Sequence, residues 1–120
     1  MEDNVKPKLT QWADRPQPSS RRITQLEEAT AIFFDLTLEQ LRSETRTNEL
    51  VWPRSVCMWL SRDAGLTLQS VGDRWGRHHS TVVNAIKLVN DLREQKPAYD
   101  KQFRLFVIFL QKYIKRDGLK

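Results

Sequence analysis

Cysteine is almost missing from this chain: Cys57 stands alone among 120 residues, so no internal disulfide can form. Histidine is nearly as scarce, with only His78 and His79, and one thiol with two imidazoles falls short of the four ligands of a structural zinc site. No metal is expected. The longest apolar run, Leu105 to Leu110, has six residues, against the roughly 18 that a membrane-crossing helix requires. No apolar stretch follows Met1-Glu2-Asp3 to read as a secretory or transit signal, so the expected location is the cytoplasm, away from any membrane. Glycine is confined to Gly65, Gly72, Gly76 and Gly118, and none of these sits in the Gly-x-x-x-x-Gly-Lys-Ser/Thr arrangement that cradles nucleotide phosphates. No nucleotide or other cofactor is expected.

What is present suits one domain. With 39% hydrophobic residues and four tryptophans the chain has the means for a single core, and its length leaves no room for a second one. The net charge is +5 and unevenly spread: residues 23 to 39 carry Glu27, Glu28, Asp35 and Glu39 with no Lys or Arg, whereas residues 83 to 120 hold nine basic against four acidic groups. A basic excess of this size fits a polyanion partner but does not specify one.

Residues 1 to 22, with Pro7, Pro16, Pro18, Ser19-Ser20 and an isolated Trp12, read as a flexible arm. The domain is expected over 23 to 115, with a tail at 116 to 120. Thr24 with Glu27 forms a capping-box pattern before Leu26, Ala29, Ile32, Phe33 and Leu36, which predicts a helix over about 24 to 35. Thr37 with Gln40 repeats the pattern ahead of a short second helix. Residues 43 to 52 lack periodicity and read as a loop carrying Arg46; a helix of about 53 to 64 then opens on Pro53 and stops at Gly65. Thr67 opens a short helix with Leu68, Val71 and Trp75 inward, Gly76 ends it, and a longer helix starts at His78 or His79 and runs to about 95. Short helix, tight turn and longer helix make a helix-turn-helix. A last helix, about 98 to 115, turns Tyr99, Phe103, Phe106, Val107, Leu110 and Ile114 inward and leaves Leu105, Ile108 and Phe109 off that stripe. The fold class is all-α.

The informative stretch runs from Ser70 to Ala85. Arg77, His78, His79, Ser80 and Thr81 gather donors and hydroxyls at the positive end of a helix, where phosphates and base edges are well received. The stretch resembles the signature of the DNA-binding domain of DnaA, the bacterial replication initiator, written Ile-Gly-x-x-Phe-Gly-x-Arg-Asp-His-Ser/Thr-Thr-Val. Val71-Gly72, Trp75-Gly76, Arg77, His79 and Ser80-Thr81-Val82 carry the match, and Trp52-Pro53-Arg54 followed by Met58-Trp59-Leu60 resembles that family's Arg-Pro-Arg and Met-x-Leu helix.

The resemblance covers roughly residues 23 to 115. It implies a compact helical domain, similar also to the Trp repressor, whose signature helix enters the major groove of double-stranded DNA while Arg46 reaches the adjacent minor groove. Base contacts would then fall to Arg46, His78, His79, Ser80, Thr81 and Ala85, phosphate contacts to Arg54 and Arg77, and the location would be the nucleoid. His78 stands where the family has an aspartate, so a cytosine N4 donor is no longer matched and the preferred site should differ. The turn before Arg77 is one residue shorter, and Glu44 and Glu49 thin the positive charge of the loop, which lowers affinity from phosphate neutralisation.

Other readings compete. A catalytic grouping of His78 or His79 with Ser80 or Cys57 lacks an orienting acid and an oxyanion site, so no enzyme is expected. Cys57 reads as a small core residue. Trp59 and Trp75 fall on apolar stripes and read as core; Trp52 could be core or a stacking platform. A sequence-specific regulator of replication or transcription is the leading reading, either a stand-alone protein or the terminal piece of a larger one. A protein-interaction module of the same fold and an RNA-binding accessory factor are its rivals. Leu105, Ile108 and Phe109 pose a separate choice: a homodimer through the last helix, or the arm with Trp12 folded over that face.

Overall fold

Helices account for all the regular structure of the computed structural model, which describes residues 12–14 and 17–117. In chain order they are α1 (Ser20–Phe33), α2 (Leu38–Arg42), α3 (Asn48–Asp63), α4 (Leu68–Trp75), α5 (His79–Gln95) and α6 (Pro97–Asp117). None is long and apolar enough to cross a membrane.

Two helices begin earlier than periodicity implied. Ser19, not Thr24, caps α1, its hydroxyl accepting from Arg22 N at 3.1 Å. The expected Thr24–Glu27 cap fails because Glu27 is needed elsewhere: it is buried and binds arginines of two other helices. Most of the expected arm, residues 1–11 and 15–16, lies outside the described residues, but Trp12 is buried in the core and its carbonyl accepts from Arg22 Nη1 at 2.8 Å. The loop expected over 43 to 52 is shorter. α3 already starts at Asn48, so Pro53 is its sixth residue. The proline withholds one N–H from the first turn, and the carbonyl it leaves unmatched belongs to exposed Glu49, which water can satisfy. At α2 the expected reciprocal cap is present: Gln40 N donates to Thr37 Oγ1 at 3.0 Å and Thr37 N to Gln40 Oε1 at 2.9 Å.

α3 is the central element. Every residue from Trp52 to Ser61 is buried, because α5 packs on one side, α1, α2 and α4 on others, and side chains of α6 reach Trp52 and Trp59. Cys57 sits at full burial, which pushes its thiol pKa far up and leaves it a packing residue. Trp59 donates from Nε1 to Asn90 Oδ1 at 2.9 Å and meets Phe103 edge to face at 5.1 Å. Trp52 is resolved as packing too, donating to Gln102 Oε1 at 2.7 Å and standing edge-on to Tyr99 at 4.7 Å. α6 closes the domain across α1 and α5. Tyr113 Oη donates to Glu28 Oε1 at 2.9 Å; burial, then that carboxylate, push the phenol up to about 12. Phe109 is drawn against Phe33 at 5.5 Å, so only Leu105 and Ile108 of the expected apolar face stay open, each 49% exposed.

Candidate nucleic-acid interface

Two glycines shape the turn between α4 and α5, for different reasons. Gly76 ends α4 in the left-handed region, at φ 66° and ψ 34°, where a side chain on Cβ is strained. Gly72 lies under the turn, and a Cβ there would stand 2.6 Å from the carbonyl oxygen of Arg77. Together they bring the chain back sharply enough for His78 to open α5.

His78 is the N-cap of α5. Its Nδ1 accepts from Ser80 N at 3.1 Å and lies 2.9 Å from Ser80 Oγ. A nitrogen that accepts a backbone N–H carries no proton, so the ring proton of neutral His78 is on Nε2, a donor on an exposed side chain. The imidazole thus performs the capping that an aspartate would perform there, yet presents the opposite hydrogen-bonding character to a ligand. The His79 ring lies 4.2 Å from it.

Beyond the cap, α5 shows solvent a strip of His79, Ser80, Thr81, Val83, Asn84 and Lys87. Ala85 lies at its edge: it is 8% exposed, between buried Val82 and Val89, yet it lines the adjoining cleft. Asn84 and Val83 were missed by sequence reasoning. The detectable signal was helical spacing, since Asn84 follows Ser80 by four positions on the same face.

Facing the strip across a cleft of about 350 Å³ is the segment 43–47 between α2 and α3, with Arg46, Arg54, Arg77, Thr81 and Asn84 among the lining residues. Arg46 is exposed, and its side chain is held by no polar partner among the described residues. Arg54 is placed beneath the surface, 6% exposed, with Nε donating to the carbonyl of Leu41 at 3.0 Å and Nη1 to that of Thr45 at 3.2 Å. Its Nη2 is buried without a partner. Burial, then the charge of Arg77, draw the Arg54 pKa below the usual guanidinium value. Arg77 is half-buried and donates from Nη2 to the carbonyls of Arg42 and Ser43, at 3.2 and 3.0 Å.

Glu27, only 3% exposed, ties this arrangement to the core. Its carboxylate accepts from Arg42 Nη2 at 2.6 Å and from Arg74 Nε at 2.9 Å, while Arg74 Nη2 also reaches Thr24 Oγ1 at 3.0 Å. The hydrogen bond to Glu27 raises the Arg74 pKa. The sequence marked Glu27 only as a capping partner of Thr24; its grip on two arginines left no local signal, because they are 15 and 47 residues away.

An all-helical domain with a capped helix-turn-helix, an exposed polar strip on its second helix and arginines lining the adjoining cleft belongs to the helix-turn-helix class of DNA-binding domains. Residues 23–89 match the family described as bacterial dnaA protein helix-turn-helix, and the chain belongs to that family. Among curated relatives it is 30% identical over 99 residues to the chromosomal replication initiator protein DnaA of Caldanaerobacter subterraneus subsp. tengcongensis, covering 78% of this chain and 22% of that protein. It is also 30% identical over 73 residues to the DnaA proteins of Thermoanaerobacter sp. strain X514 and Thermoanaerobacter pseudethanolicus, covering 59% of this chain and 16% of each. The chain therefore spans about a fifth of the length of these relatives.

Proposed function

We propose that this domain binds duplex DNA sequence-specifically, with α5 in the major groove and Arg46 in the adjacent minor groove, and acts as a regulator of replication or transcription. The observation that carries the reading is the juxtaposition of an exposed, unengaged Arg46 with the polar strip at the start of α5. In this reading His78 Nε2, His79, Ser80 and Thr81 meet base edges. Asn84 joins them, because an amide pairs bidentately with adenine, and Val83 offers an apolar surface to a thymine methyl. A phosphate seats in the cleft against Arg77, with the buried charge of Arg54 adding to the field. Ala85 contributes close approach of the helix rather than a contact of its own.

Pairing of two copies through α6 is not needed for this reading, since Phe109 is partly buried against Phe33 and two half-exposed residues supply little interface. The test is selection from a random duplex library, followed by competition between a selected and a scrambled duplex across a range of salt. The selected duplex is expected to compete at least about 10³-fold better. Arg77→Ala should reduce the salt slope by about one. A protein that enriches no sequence and shows no salt dependence is an interaction module instead, and one that prefers single-stranded RNA is an accessory factor.

A further inference from the structure

We infer that Arg54 and Arg77 are positioning residues that clamp the backbone of residues 41–45, so that the loop bearing Arg46 and the reading helix α5 move as one unit. The inference rests on the DNA-binding reading above for its consequence, but its physical content lies in the free protein. α2 has only five residues, too few to define the direction in which the chain leaves it. Its last carbonyls have no partner within the helix and need outside donors. Gln40 O is met by Ser43. Leu41 O, Arg42 O, Ser43 O and Thr45 O are met by the two guanidinium groups at 3.0 to 3.2 Å.

The Thr45 carbonyl belongs to the same rigid peptide plane as the Arg46 amide, so the bond from Arg54 orients the unit from which Arg46 projects. On the other side, Arg77 directly precedes the N-cap His78, and its own carbonyl is wedged against Gly72. A displacement at the start of α5 is therefore passed to the carbonyls of Arg42 and Ser43. The following helix offers little help in holding the loop, since Thr47 makes no side-chain cap. The fork of a guanidinium matters here. Arg54 satisfies two carbonyls four residues apart with two differently directed N–H groups, a geometry that a lysine ammonium does not reproduce, although it keeps the charge.

The experiment uses Arg54→Lys, Arg77→Lys, Arg46→Ala and the double variant of Arg77→Lys with Arg46→Ala. Backbone order parameters of residues 43–47 in the free protein, from amide nitrogen relaxation, should fall from about 0.85 to about 0.6 or below in either lysine variant, with those of the α3 core unchanged. On DNA, the base pair read by Arg46 is the one whose discrimination Arg46→Ala abolishes. Arg77→Lys should lose about five- to tenfold discrimination at that pair while keeping the salt slope, and should add nothing once Arg46 is gone. A merely structural role would not confine the loss to one base pair. Loop order parameters that stay at the wild-type values, or losses that multiply in the double variant, overturn the inference. Should Arg54→Lys fail to fold, the partly exposed Arg77→Lys decides alone. Should the wild type enrich no duplex, the binding reading falls, and the order parameters of the free protein still judge the clamp.

Discussion

His78 shows how one residue can keep a structural duty while changing a chemical one. As N-cap it accepts from Ser80 N, and a carboxylate would do the same. Outward, its Nε2–H seeks an acceptor such as purine N7 or O6, where a carboxylate would seek the cytosine N4 donor. His78→Asp should thus shift the selected site toward cytosine at one position while changing stability by less than about 1 kcal/mol, because the cap survives. Parallel library selection with both forms, beside their unfolding midpoints, checks this; identical selected sites would place His78 away from the bases. Arg46, His78 and Thr81 were legible as candidates because a motif and helical position mark them. The burial of Arg54 and the grip of Glu27 on two arginines were not, since both depend on what a distant segment places nearby.

At the scale of elements, the α4–turn–α5 unit was read closely: Thr67 caps α4 by accepting from Ser70 N at 3.0 Å, and Gly76 stops it. Its glycines give a prediction with an internal control. At Gly72 an added methyl collides with backbone, which cannot step aside as a flexible side chain would, so Gly72→Ala should cost about 1–3 kcal/mol despite the better helix propensity of alanine. At Gly76 nothing lies within 4 Å of an added Cβ, and the cost comes from the left-handed backbone alone, about 1–2 kcal/mol. Asparagine at 76 should recover part of the loss, whereas asparagine at 72 should be worse than alanine. Urea unfolding with an unchanged m-value measures both series; equal recovery at the two positions would contradict this division of roles. The element boundaries read less well. α1 starts at Ser20 because Ser19 supplies its cap, and α3 at Asn48 because the Thr47 carbonyl already accepts from the Leu50 and Val51 amides, ahead of the first buried residues that the apolar period marks.

For the whole molecule, the apolar face of α6 is smaller than periodicity implied. Phe109 leans on Phe33, and Trp12 is already used in the core, which leaves Leu105 and Ile108 as one pair of half-exposed neighbours, a patch of a size common on monomers. The free protein is therefore expected to sediment as a monomer at micromolar concentration, and Leu105→Lys with Ile108→Glu should leave that unchanged. A wild-type dimer that the double variant dissolves would establish α6 as an interface. The amino-acid sequence by itself determined the helical class, the helix-turn-helix, the family and most of the apolar stripes, Ile32 at 57% exposure excepted, because each is written in local spacing, capping residues and a contiguous motif. Only the tertiary structure decided which side chains are free to reach a partner. It left Arg46 open, committed Arg54 and Arg77 to the carbonyls of the neighbouring segment, buried Ala85, and joined Glu27 to Arg42 and Arg74, since hydrogen bonds between residues far apart in the chain leave no periodic trace along it.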